Sequence, residues 1–170
     1  MPGISKEFVN FLIDLEFNNN REWFLANKPR YEKVVKEPFL NLIEELRLRL
    51  LPAEPYLADI EAKKMIFRLH RDTRFGKDKS PYKTHLSALI SPTGTKDKCF
   101  PSHYLQISSK EIFIAGGIYW FEEKELLLRV RNYILQNNKQ FTKLISDKNF
   151  VEKYGEIKGD KNNGRFFYLN

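Results

Sequence analysis

The chain has 170 residues, 42% apolar and 14% aromatic, which is enough for one packed domain with a ring-rich core. Its single cysteine, Cys99, excludes an intramolecular disulfide and a zinc-type cysteine cluster. No run approaches the ~18 apolar residues of a membrane span; a formal charge of +7 is compatible with an anionic partner, but a charge of this size more often serves only solubility.

Lys6, Glu7 and Asp14 interrupt any leader-like apolar segment at the start, so a cytoplasmic protein that does not enter the membrane is expected. Ser5 is placed to cap a first helix whose Phe8, Phe11, Leu12 and Leu15 recur at helical spacing. Asn18-Asn19-Asn20 then supplies a loop and a second cap, with Glu22 in the first turn of the next helix. Trp23, Phe24, Tyr31, Val34 and Val35 continue on one broad face. Pro29 and Pro38 each lack an N–H, so this region is expected in two or three pieces. The last piece is the clearest helix, with Phe39, Leu42, Ile43, Leu46 and Leu50 as its seam and Pro52 and Pro55 beyond its end.

From Lys64 the period changes to two. Met65, Phe67 and Leu69 alternate with Ile66, Arg68 and His70, which predicts a strand. Residues 76–81 read as a polar turn, and His85 to Ile90 as a second strand closed by Ser91-Pro92-Thr93-Gly94. His103 to Ser108 and Glu111 to Ile118 predict two more strands, joined by Ser109-Lys110, and the short links imply an antiparallel meander. Gly116-Gly117 reads as a bulge or packing point, or else as a place where backbone approaches a ligand. Glu122, Glu123 and Glu125 load the start of a helix with a buried stripe of Leu126, Leu127, Val130 and Ile134. Phe141, Leu144 and Ile145 suggest another helix. Asp147 caps a last one, ended by Gly155. Arg165 to Leu169 is strand-prone. Helices, then strands, then helices give an α+β fold with a helical N-terminal part, a central antiparallel sheet and a helical C-terminal part, read as one domain over residues 1–170.

The charge is not spread evenly. Between Arg68 and His85 six cations (Arg68, Arg71, Arg74, Lys77, Lys79, Lys83) face two anions, Asp72 and Asp78, so eighteen residues hold +4 of the total +7. Arg suits phosphate or carboxylate because its planar fork grips both oxygens. The functional reading is a cationic pocket for a phosphate- or carboxylate-bearing small molecule. In it Arg68, Arg71 and Arg74 contact the anion, Asp72 orients an Arg, and Lys79 and Tyr82 close the rim. A rival is a nucleic-acid-binding module in which the same cations, with Lys77 and Lys83, follow a backbone. The bland alternative is an interaction domain whose turn is held by ion pairs, Asp72 with Arg71 or Arg74 and Asp78 with Lys79 or Lys83. Exposed pairs contribute only ~0–1 kcal/mol each, which makes a purely stabilising purpose for so many cations less natural.

The same stretch carries a resemblance. Arg68-x-x-Arg71-Asp72-x-Arg74-Phe75, followed by Asp78-Lys79-Ser80-Pro81-Tyr82-Lys83, is similar to the signature of the bacterial family called domain of unknown function 2461. Asn18 to Phe24, Asn27-Lys28, Tyr31, the Tyr104 to Ser108 strand and Gly116-Gly117 extend the likeness over most of the chain. The resemblance implies no established activity. Members of that family commonly continue some tens of residues further, through a Pro- and Gly-containing segment, so it implies a chain shorter at its C-terminus than its relatives. Pro29 also departs from the family's usual first helical region.

Other chemistry is weaker in the sequence. His70, His85 and His103 lack the close spacing of a metal site, so neither a metal nor another cofactor is expected. Ser80, Ser87 and Ser102 have no nucleophile elbow around them, and no phosphate loop is present. Asp72 and Asp78 lie among cations that keep both ionised, which disfavours acid–base work. Asn18 to Trp23 reads as a helix cap followed by a core aromatic, or as a second wall of the same site. Nothing in the sequence identifies a reaction.

Overall fold

The computed structural model describes residues 4–74, 77–96, 99–118 and 124–155, which fall into two compact units, 1–120 and 121–170. Each is taken by itself.

In the first unit, helix α1 (Lys6–Phe17) starts where Ser5 accepts a hydrogen bond from the Phe8 N–H at 3.2 Å, and it buries Phe8, Phe11, Leu12 and Leu15 completely. Helix α2 (Arg21–Ala26) starts at Asn20, whose side chain accepts from the Trp23 N–H at 2.9 Å. Asn27 ends it, and α3 (Lys28–Tyr31) begins with Pro29 in its first turn, where a missing N–H costs nothing. Pro38 behaves differently from the sequence expectation: the backbone passes it without a break. A π-helical turn at Glu32–Lys36 precedes it, and Pro38 then lies in the first turn of α4 (Glu37–Leu50). The wide turn re-registers the hydrogen-bond ladder just ahead of the residue that cannot donate. Of the expected α4 seam, Phe39 and Ile43 are buried, while Leu42, Leu46 and Leu50 are partly buried against the same core.

A 3-10 turn (Pro55–Leu57) and the short helix α5 (Ala62–Met65) follow. The strand predicted from Lys64 is not there as a continuous ladder. Residues 66–70 are extended but meet the next segment only at two bridges, Ile66 with Ala88 and His70 with Tyr82. Four steps of chain on one side therefore face six on the other, and the surplus bulges around Thr84. Pro81 contributes to the interruption: it offers only its carbonyl, which accepts from the Arg71 N–H at 2.9 Å. The alternation itself is sound, since Met65 and Leu69 are buried while Arg68 and His70 are exposed.

The sheet is a three-stranded antiparallel meander in the order β1 (His85–Ile90), β2 (Ser102–Ser108), β3 (Ile112–Gly117). Register runs from His85 opposite Ser108 to Ile90 opposite His103, and from Ser102 opposite Gly117 to Ile107 opposite Ile112. Leu86, Ala88 and Ile90 of β1, with Leu105 and Ile107 of β2, complete the core made by α1, α4 and Met65. Strand β3 is the edge, and Ile112, Phe113 and Ile114 are exposed on it. With helices at both ends and this sheet between them in the chain, the protein is α+β.

The second unit holds α6 (Lys124–Gln136), α7 (Asn138–Ile145) and α8 (Lys148–Tyr154). Asp147 caps α8, accepting from Asn149 N–H at 2.9 Å, and Gly155 ends it at φ 70°. The stripe Leu126, Leu127, Val130 and Ile134 is half-buried rather than buried, because three short helices cover one another only in part. Trp120, Glu122, Glu123 and the strand-prone residues 165–169 lie outside the described residues.

Candidate functional site: a cationic turn and the strand it feeds

The turn between His70 and Tyr82 is anchored from a distance. The Asn19 side chain donates from Nδ2 to the Tyr82 carbonyl at 2.9 Å and accepts from the Tyr82 N–H at 3.1 Å, so an amide takes the place of a neighbouring strand. The Tyr82 ring is buried and stacks on Phe24 with centroids 4.2 Å apart. Tyr82 therefore stands apart from the loop cations, with its ring packed into the side of the helical layer. The other two asparagines act locally: Asn20 caps α2, and Asn18 donates to the Asp14 carbonyl at 2.9 Å.

Within the turn the charges are matched across it. Asp78 binds Arg71 and accepts from the Ser80 hydroxyl at 2.5 Å and the Ser80 N–H at 2.9 Å. The Ser80 hydroxyl, then the Arg71 guanidinium, hold its carboxyl well below the usual range. Asp72 takes both Nε (2.9 Å) and Nη2 (2.6 Å) of Arg74, and this fork, with the Arg74 N–H and the more distant charge of Arg68, lowers its pKa. Lys79 donates to the Thr73 carbonyl at 2.9 Å. Of the pairings written from sequence, Asp72 with Arg74 forms, whereas Asp78 selects Arg71 in place of either lysine. Arg74 is three-quarters exposed, Asp72 and Lys79 are exposed, and Arg71 is half-buried.

A second group of cations is left over where the turn enters β1. Among the described residues no carboxylate pairs with Arg68, Lys83 or His85. Lys83 is half-buried with its Nζ 5.4 Å above the Phe67 ring, and burial first, then the charge of Arg68, depresses its pKa. Burial likewise depresses the His85 imidazole, helped by Lys83 and Arg71. Four basic side chains thus repel one another on one patch, with Asp78 already occupied by Arg71. Phe67 and Tyr104, ring centroids 6.3 Å apart, form its apolar border. Lys83 and His85 were missed as a pair in the small-molecule reading. The signal available was their i, i+2 spacing on the approach to a strand, which puts both on one face.

The three histidines do not meet. His85 and His103 occupy opposite ends of the β1–β2 ladder, five residues or about 16 Å apart at strand rise. His103 instead places Nε2 2.5 Å from the Glu54 carboxylate, tying β2 to the segment after α4. Among the described residues no three His, Cys, Asp or Glu side chains gather to hold a metal.

The fold and this face define an α+β protein with a cationic turn leading into its central sheet. The sequence model of the family described as conserved hypothetical protein (DUF2461) matches residues 7–165, and the chain belongs to that family. No curated protein and no solved structure matches it. Among the described residues no helix is long and apolar enough to cross a membrane.

Proposed function

We propose that the protein binds a phosphate- or carboxylate-bearing small molecule, and that Arg68, Arg71, Lys83 and His85 contact its anionic group. The observation that carries this reading is the crowding of Lys83 by Arg68, and of His85 by Lys83 and Arg71, with no acid paired to Arg68, Lys83 or His85 among the described residues. A fold gains nothing from half-burying like charges against one another; a bound anion relieves the repulsion and raises the pKa of Lys83 and His85. In this reading the outer pairs, Arg71 with Asp78 and Arg74 with Asp72, hold the turn in shape, and Lys79 steadies it through Thr73. Tyr82 positions Lys83 from the core. The site is placed in the bacterial cytoplasm, where a lone cysteine stays reduced, and it works without a metal or other cofactor.

The test is calorimetric titration with inorganic phosphate and pyrophosphate, alongside thermal melts of the wild type, Arg68→Gln and Lys83→Met. A ligand specific for the native state stabilises it by about 2.7 kcal/mol at a hundredfold excess over Kd. We expect saturable binding that both substitutions abolish, while Lys83→Met raises the ligand-free melting temperature by removing an unpaired charge. Unchanged binding in both variants overturns the proposal.

The exposed loop cations favour a second reading, a nucleic-acid surface bordered by Phe67 and Tyr104. Retardation of mixed-sequence double-stranded DNA that weakens steeply between 50 and 200 mM salt would select it over the small-molecule site, on the order of 10³-fold for six phosphate contacts.

A further inference from the structure

The other side of the Tyr82 segment carries a depression that the anion patch does not use. Adjacent residues of an extended chain point to opposite faces, so Tyr82 and Lys83 serve different surfaces. The Tyr82 ring, the Phe24 ring stacked on it, Leu25 and Pro81 floor an open cleft of about 410 Å3, and Arg21, Lys28 and His70 stand around it. Its size falls within the range that holds small-molecule ligands.

Two properties specify the occupant. The floor is apolar: the Phe24 and Tyr82 rings are buried against one another, Leu25 and Pro81 offer the exposed surface above them, and the His70 ring approaches Tyr82 with centroids 5.0 Å apart. The rim is one-signed. No acidic residue lines the cleft, and among the described residues neither Arg21 nor Lys28 has a carboxylate partner. The other arginines of the helical layer are paired, Arg30 with Asp14 at 2.7 Å, Arg47 with Glu44 at 2.6 Å and Arg49 with Glu45, whereas Lys6 and Lys33, like Lys28, have no carboxylate partner among the described residues. Two unpaired cations over an apolar floor complement a ring that carries an acid group. The floor supplies apolar burial, and Arg21 and Lys28 supply charge and orientation.

We propose that this cleft is a second binding site, for a small aromatic acid whose ring lies over Leu25, Pro81 and the Phe24–Tyr82 stack and whose anionic group meets Arg21 and Lys28. The site does not depend on Arg68 or Lys83, so it stands or falls separately from the anion patch.

The experiment is calorimetric titration with 2-naphthoate, its uncharged analogue 2-naphthamide, and acetate. The proteins are the wild type, the double variant Arg21→Gln/Lys28→Gln and, as a control for the other face, Arg68→Gln. We expect saturable 2-naphthoate binding, weaker binding of the amide, acetate heats that the double variant leaves unchanged, and at least a tenfold loss of 2-naphthoate affinity in the double variant. Arg68→Gln leaves that affinity unchanged. On the wild type, 2-naphthoate also shifts the His70 ring resonances in the proton NMR spectrum before those of His103. Three results overturn the assignment: no saturable 2-naphthoate binding, equal affinity in the double variant, or a loss confined to Arg68→Gln.

Discussion

Asn19→Ala is the substitution in which local chemistry and long-range architecture meet most sharply. The Asn19 amide makes two hydrogen bonds to the backbone of Tyr82, 63 residues away, and no other bridge pins the turn to the α1–α2 loop among the described residues. Each bond contributes about 1 kcal/mol net, and truncation leaves a part-buried N–H and C=O to find water, so the loss is about 2–3 kcal/mol. For a chain of this length that is a fall in melting temperature of about 5–10 °C. Asn20→Ala is the control next door, because it removes only the α2 cap and costs about 1 kcal/mol. Paired thermal melts followed by far-UV circular dichroism give both numbers. An Asn19→Ala loss equal to or smaller than that of Asn20→Ala would refute the anchoring argument. Because Tyr82 precedes Lys83, Asn19→Ala is also expected to weaken phosphate binding when measured well below its melting point.

Further expectations concern backbone, charge and pH. Gly94 sits at φ +61°, and a Cβ there would lie 2.4 Å from the Lys64 carbonyl oxygen, so Gly94→Ala should destabilise by at least the ~1–3 kcal/mol of a strained backbone; a melt within 1 °C of wild type would contradict this. Asp72→Asn breaks an exposed pair and should leave the melting temperature unchanged while altering the mobility of the turn. The His85 imidazole is depressed below its ordinary 6.5, so the unfolded chain binds the extra proton first as pH falls. Stability is therefore lost as pH drops from 6.5 through the lower folded value and is regained as it rises, and His85→Gln should flatten that part of the pH profile of urea midpoints. Tyr31 is pushed up to about 12, by burial first and then by Glu32, so its share of stability is present below pH 10 and disappears as pH climbs from 10 towards 12. Tyr31→Phe should remove that alkaline component in the same assay.

Much of the fold was legible because its determinants are local. Ser5, Asn20 and Asp147 announce helix starts through side chains that reach only three residues ahead, and each does so in the structure. The β1–β2–β3 meander follows from alternation and short links. The missing fourth strand shows where local pattern stops: Met65 to His70 alternates correctly, yet whether alternation becomes a ladder depends on the partner, and there Pro81 and the bulge at Thr84 intervene. Pro38 misled in the same way, because a π-helical turn upstream absorbs its missing donor.

The site was legible in number but not in pairing. Six cations against two acids can be counted, but which cation each acid takes depends on the path of the turn. Asp78 reaches back seven residues to Arg71, and this leaves Arg68, Lys83 and His85 without an ion-paired acid among the described residues, Asp72 acting on Arg68 only at a distance. Asn19 gave no signal beyond its place in a loop, since its partner is distant in sequence.

The most direct measurement of the central claim is the pKa of the His85 ring, followed by NMR titration with and without inorganic phosphate or pyrophosphate. With an anion seated among Arg68, Arg71, Lys83 and His85, we expect the His85 pKa to rise from its depressed value, and Lys83→Met to remove that response to the anion. A His85 pKa indifferent to saturating phosphate and pyrophosphate would contradict the proposed site.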